Sequence, residues 1–143
     1  MEFLTKEAII EANRRITSLY GDPFGVLNEA NLEHAIESAR HRFNKEDEFE
    51  SLLLKAALIL DLLANKGHCF IEGNKRTALS MCNSFLKMNG YQILQGSEET
   101  GFVLSVARDE QTIKSIAKWI EARVIKIETK KISEENGIKP KRQ

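Results

Sequence analysis

His68-Cys69-Phe70-Ile71-Glu72-Gly73-Asn74-Lys75-Arg76-Thr77 sets a base, an acid, a glycine, an amide and two cations within ten residues, directly ahead of an apolar-periodic run. The chain on either side reads as amphipathic helix, so the polar cluster interrupts a helical pattern, and such local departures tend to mark function. Gly73 supplies the backbone freedom that a loop-to-helix junction needs, and Thr77 to Leu86 then carries a helical pattern. The first turn of that helix directs unpaired N–H groups outward. Those donors, the positive end of the helix dipole, Lys75 and Arg76 converge on an anion site, most naturally one for phosphate. The Arg76 guanidinium can hold two phosphate oxygens at once. His68 lies outside the helix start, where a neutral imidazole could take the proton of an incoming hydroxyl. Glu72 is a hard oxygen ligand that could hold magnesium against the phosphates. A base, a metal ligand and a phosphate cradle are the parts that phosphoryl-type transfer requires, because that chemistry rests on positioning and charge neutralisation.

Taken singly, each residue also has a plainer role. A loop histidine is often solvated, Glu72 favours a helix N-terminus, and Asn74 could be an N-cap. Lys75 and Arg76 could form a solvated first turn, although cations there oppose the dipole by about 0.3–1 kcal/mol. An anion would offset that cost. Cys69 sits inside the stretch and could be a nucleophile, although a reduced structural thiol is the plainer reading. Phe70, the apolar member of the stretch, is expected to anchor the loop in the core beneath.

The elements that must position this stretch are helical. Thr5 can cap a helix over about residues 6–19, with Ala8, Ile9, Ala12, Ile16 and Leu19 at core spacing. Gly21-Asp22-Pro23-Phe24-Gly25 must be a loop. Asn28 or Asn31 can cap a second helix with Leu32, Ala35, Ile36, Ala39 and Phe43 on one apolar stripe. His34 and His41 on that segment have no second ligand at metal spacing. After the acidic start around Asp47 and Glu48, residues 49–64 form the most apolar stretch of the chain, the mark of a central helix. Gly67 suits the left-handed cap position at its end, which places His68 directly after it. The helix that follows the polar cluster runs to about Met88, with Ala78, Leu79, Cys82, Phe85 and Leu86 inward, and Asn89-Gly90 stops it. Tyr91 to Leu94 could be a short extended piece. Ser97 or Thr100 could start a helix with Phe102, Val103, Val106 and Ala107, and Thr112 caps a last one with Ile113, Ile116, Ala117, Ile120 and Val124. Trp119 is expected to pack at an edge. The pattern predicts an all-α domain over 1–127, a compact bundle of about six helices, followed by a polar tail over 128–143.

At 143 residues the chain is long enough for one domain with a real core. Lys plus Arg equals Asp plus Glu at 21 each. This balance excludes a general nucleic-acid surface and argues against a helix-turn-helix DNA binder. Two cysteines are too few for a disulfide framework and read as reduced thiols of a cytoplasmic protein. The N-terminal residues lack the order of a signal peptide, and no apolar run reaches the roughly 20 residues of a membrane span.

The stretch from His68 to Arg76 resembles the signature His-x-Phe-x-Asp/Glu-Ala/Gly-Asn-Gly/Lys-Arg of the Fic/Doc proteins and matches every fixed position. Asn74-Lys75-Arg76-Thr77-Ala78-Leu79 resembles the Doc, or death-on-curing, branch, the toxin half of Phd/Doc toxin–antitoxin pairs. Leu19-Tyr20-Gly21, Leu32 to Ile36 and Phe85 to Tyr91 are similar to the same chains, so the likeness covers roughly residues 4–125. Cys69 stands where the common Fic form has proline, and Glu72 where Doc has aspartate. The resemblance implies a Fic/Doc-like helical fold, with ATP and magnesium as cofactors. It implies His68 as catalytic base, Glu72 as metal ligand, and Gly73, Asn74, Lys75 and Arg76 as the phosphate-binding set. For the Doc branch it implies kinase activity toward a protein hydroxyl, a threonine of elongation factor Tu, which would inhibit translation. Fic proteins with glycine at the Lys75 position transfer AMP instead, and a non-catalytic nucleotide- or partner-binding module is a third possibility. A Phd-like antitoxin is the implied partner, folding a segment onto a groove of the domain. Phe24 then belongs either to a target surface or to a plug closing its own loop.

Overall fold

The computed structural model describes residues 1–94, 96 and 98–127. In chain order these form α1 (Lys6–Tyr20), α2 (Glu29–His41), α3 (Glu48–Asp61) running into a π-helical turn (Leu62–Lys66), and α4 (Asn74–Met88). They continue with β1 (Tyr91–Ile93), α5 (Glu99–Ala107), α6 (Ile113–Glu121) and β2 (Val124–Lys126). The fold is the expected six-helix bundle, with one addition. β1 and β2 pair antiparallel, Tyr91 opposite Lys126 and Ile93 opposite Val124. The tail over 128–143, and Ser97 as a helix start, lie outside the described residues.

α3 is the centre. Leu52, Leu53, Ala56, Ala57, Leu58, Ile59 and Leu60 are all buried, and α2, α4 and α6 pack around them. Each large aliphatic side chain buried in this way contributes roughly 1.5–3 kcal/mol. From α4 come Ala78, Met81, Cys82, Phe85 and Leu86, and from α6 Ile116 and Ile120. The core therefore clamps the helices on both sides of the polar stretch. Trp119 is buried, stacked on Phe102 at 4.3 Å with Arg123 over its ring. Four helices start as their sequences suggest, each with a side-chain oxygen accepting an otherwise unpaired N–H: Thr5, Asn28, Asp47 and Thr112. α5 begins without such a bond after Glu98, so Thr100 lies inside its first turn.

Four expectations are corrected by the packing. Val124 leaves the last helix, which ends at Glu121, and joins β2 because its partner Ile93 is already held beside α4. Leu19 is 82% exposed and Ala8 is exposed too, so the buried stripe of α1 is Ile9 and Ala12 continued by the polar pair Asn13 and Thr17. Phe43 lies beyond α2 at φ 63°, its ring under Arg42. The reason is Lys55, buried in α3, whose ammonium donates to the carbonyls of Ala39 (2.6 Å), Arg40 (3.2 Å) and Arg42 (2.8 Å) and so ends α2. Gly67 does not take the left-handed position, for reasons given with the site below.

Lys55 is thus a cation that serves as a C-cap from another helix. Lys55→Met, which keeps the apolar stem but leaves those carbonyls unmet, should lower stability by about 1–3 kcal/mol in urea unfolding. Burial pushes the Lys55 ammonium below its ordinary 10.5. Between its folded value and 10.5 the unfolded chain binds more protons, so this residue's contribution to stability rises with pH. The deficit of Lys55→Met against the wild type should therefore widen as pH approaches 10.5.

Candidate active site

The polar stretch lies between the π-helical turn and α4, and its shape is imposed from outside. Asp61, buried at the end of α3, pairs with Lys66 at 2.9 Å, while Asn65 donates to Asp109 at 3.0 Å, which fastens the wide turn to the α5–α6 connection. Gly67 follows with φ −77° and ψ −42°, ordinary right-handed geometry. Its small size is required for another reason. A Cβ there would run into the Leu62 carbonyl and lie 2.9 Å from Cys69 Sγ. The left-handed residue is His68 itself, at φ 45°, a strained position for a side chain of this size. It turns the imidazole outward into solvent.

Beyond His68 the backbone carbonyls are held one after another. Asn31 of α2 donates its amide to the Gly67 carbonyl. The N–H groups of Leu27 (2.7 Å) and Asn28 (3.2 Å) both donate to Cys69, and Ile71 N–H donates to Gly25 at 3.0 Å. These bonds and the bridge between Val26 and Phe70 lay the 25–28 segment antiparallel to the loop. Asn74 closes on Phe70 from both sides, accepting its N–H at 3.0 Å and donating to its carbonyl at 2.8 Å. Its amide braces the loop; the N-cap position belongs to Gly73. Phe70 is buried, the anchor its apolar character suggested. Asn13 of α1 donates to the Glu72 carbonyl at 2.8 Å and to the Thr77 hydroxyl at 3.0 Å.

Gly73 then turns at φ 79°, with Asn13, Ile16 and Thr17 packed directly beneath it. α4 starts there without any side-chain cap. Its first-turn N–H groups have no carbonyl one turn back and point outward. Glu72, Gly73, Asn74, Lys75 and Arg76 form a continuous stretch of the wall of an open cavity of about 380 Å³, lined further by Tyr20, Leu79, Thr100, Val103 and Leu104. Arg76 lies 3.7 Å over the Tyr20 ring. Among the described residues neither Lys75 nor Arg76 forms a salt bridge. Two unpaired cations stand beside open N–H groups at the positive end of a helix. The arrangement attracts an anion.

The structure thus gathers five of the expected site residues into one wall, and His68 stands at the entrance of the same loop, outside that wall. Phe24 is half-buried beneath Arg14, 4.2 Å from its guanidinium, and is not part of the cavity. Cys69 is buried, and burial pushes its thiol up to about 11, so it is protonated and inert at neutral pH. Among the described residues no group of three or more His, Cys, Asp or Glu side chains could hold a metal ion. No described helix is long and apolar enough to cross a membrane. Sequence reading missed Asn13, Thr17 and Asn31. The available signal was two polar residues, Asn13 and Thr17, on the core-facing side of α1.

A buried loop anchor, an exposed histidine and a helix start with two cations and no side-chain cap give this loop the form that the Fic/Doc signature led one to expect. The chain belongs to the Fic/DOC family, whose model matches residues 3–86. It is 30% identical over 117 residues to the "Protein kinase doc" of Escherichia phage P1, covering 82% of this chain and 91% of that one. It is also 30% identical over 92 residues to the "Toxin Doc" of Mycolicibacterium smegmatis, covering 64% of this chain and 68% of the relative.

Gly73→Ala should cost about 1–3 kcal/mol of stability, since a Cβ at φ 79° is strained and would lie 3.1 Å from the Asn13 amide. Thermal unfolding measures the loss. An equally destabilising core substitution should leave the anion-attracting turn intact, so titration with inorganic pyrophosphate should show weaker binding by Gly73→Ala than by that substitution.

Proposed function

We propose that this protein is a Doc-like kinase that moves the terminal phosphoryl group of ATP to a hydroxyl of a protein, acting as the toxin of a toxin–antitoxin pair. One observation carries the reading: Glu72 to Arg76 line one cavity at a helix start that no side chain caps, with the cations Lys75 and Arg76 in its first turn. The family membership and the names of the two relatives support the same reading.

In this reading His68 takes the proton of the acceptor hydroxyl as its oxygen attacks the terminal phosphorus. The bond to the bridging oxygen breaks and ADP leaves with the electron pair. The first-turn N–H groups of α4, with Lys75 and Arg76, bind the phosphates and stabilise the charge that develops on their oxygens. Gly73 lets the backbone approach, and Asn74 keeps the loop in shape. The donor set fits magnesium held through one carboxylate and the nucleotide's own oxygens, the usual manner for this ion. Glu72 is exposed and free of salt bridges among the described residues, so it is the residue that would hold the ion, which supplies further charge neutralisation when bound. Lys75 at the position where AMP-transferring relatives carry glycine favours the phosphoryl outcome, because a long cation takes up room beside the phosphates. The acceptor is a threonine of a translation factor, elongation factor Tu by resemblance, and the regulator is a Phd-like antitoxin. Both act in the cytoplasm.

Intact mass spectrometry of a translation-factor fraction containing elongation factor Tu, after incubation with ATP, magnesium and this protein or His68→Ala, tests the reading. A gain of about 80 Da, one phosphoryl group, that disappears with the variant is the expected result. A gain of about 329 Da, one AMP unit, would make the protein an AMP transferase. The absence of any His68-dependent shift would leave a binding module.

A further inference from the structure

We propose that Asn13, on α1 and remote in sequence from the motif, is the positioning residue that sets the anion-binding turn. The inference rests on the reading of Glu72 to Arg76 as a phosphate cradle. Asn13 is fully buried. One amide nitrogen donates to the Glu72 carbonyl before the turn and to the Thr77 hydroxyl after it, at 2.8 and 3.0 Å. The residue therefore bridges both ends of the left-handed Gly73 turn. A Cβ on Gly73 would lie 3.1 Å from this same nitrogen, so the turn rests on the amide.

The other half of the amide points to the reason for its presence. Asn13 Oδ1 is buried and has no hydrogen-bond partner among the described residues. An unmet buried acceptor is a penalty, and an apolar side chain of similar shape would fill the space without it. Ile9 and Ala12, buried on the same face of α1, show that the helix otherwise meets the core with apolar groups. What only the amide provides is a pair of N–H donors. They fix the direction of the Glu72 carbonyl, and since that peptide group is planar, they also fix the Gly73 N–H on its far side. By holding Thr77 in the same grip they fix the first turn of α4, whose N–H groups face the cavity. At metal sites, partners that orient the ligating groups without touching the ion typically account for about 10- to 100-fold in affinity or activity, and the same order is expected of Asn13.

Calorimetric titration of the full chain with Mg·ATP, alongside thermal unfolding, separates this role from simple packing. Asn13→Ala should bind about 10- to 100-fold more weakly than the wild type. Ile116→Val, a core change in α6 remote from the cavity lining, should lose stability and keep its affinity. Asn13→Leu keeps the bulk but removes both donors, so it should lose affinity as Asn13→Ala does while filling the buried space. Should Asn13→Ala fail to fold, Asn13→Leu decides by itself.

Equal binding by wild type and Asn13→Ala would overturn the inference and leave the cradle intact. So would affinity losses that merely track stability in Asn13→Ala and Ile116→Val alike, or an Asn13→Leu variant that binds as tightly as the wild type. A wild-type chain that does not bind Mg·ATP would overturn the cradle itself.

Discussion

The site depends on one constraint: the carbonyls of the active-site loop are held inward by donors that come from other elements. Asn31 takes Gly67, the 27–28 backbone takes Cys69, Asn74 takes Phe70, and Asn13 takes Glu72. A peptide group has two polar ends on opposite sides, so fixing the Gly67 and Glu72 carbonyls on the protein side turns the His68 and Gly73 N–H groups the other way, while the N–H groups of Phe70 and Ile71 are met by Asn74 and Gly25. The hydrogen bonds to carbonyls thus set the shape of the loop, and the one to Glu72 adds the Gly73 N–H to the side on which Lys75 and Arg76 stand. Side-chain amides suit this work because they donate without adding a further net charge beside those two cations.

The other helix starts make that of α4 intelligible. α1, α2, α3 and α6 each meet an N-terminal N–H with a side-chain oxygen. α4 and α5 have no such cap, but α5 starts with the acidic Glu99, which the dipole favours, and α4 with Lys75 and Arg76, which it disfavours. Both features cost stability in the free protein, and both would be relieved by the same event, the binding of a phosphate group that the proposed function requires. Locally unfavourable choices of this kind persist when the surrounding structure over-determines them. Here the surroundings are α3 and α4, which bury apolar side chains at either end of the loop.

What could be read in advance follows from how far apart the interacting residues lie. The motif is contiguous, so its residue types alone suggested a base, a metal ligand and a phosphate cradle, the roles the proposed function gives them, and helical periodicity disclosed the bundle. The supports were hidden because their partners are distant: Asn13 reaches Glu72 across 59 residues and Asn31 reaches Gly67 across 36. Asn13 and Thr17 left a trace, polar groups on a core-facing stripe, and so did Lys55 within the most apolar helix. Each of the three proved to hold backbone carbonyls. Gly67 misled because a glycine after a helix usually signals left-handed geometry, whereas here the wide turn leaves no room for a Cβ and passes the left-handed conformation to His68. Val124 misled because its spacing fits both a final helical turn and a strand, and only the position of Ile93 decides between them.

These distances also bear on how the activity is tied to folding. A peptide spanning His68 to Met88 would contain every motif residue and could form a helix with open N–H groups. It would lack Asn13 and Asn31, and with them the orientation of the loop. The cradle therefore exists only when α1 and α2 have docked on α3 and α4. A ligand that binds there binds the whole bundle and not its unfolded forms, and stabilises the fold in proportion to the logarithm of its concentration. The same dependence runs in reverse. Anything that draws α1 away from α4 removes Asn13 from beneath Gly73 and releases the turn, with no need to touch His68 or Arg76.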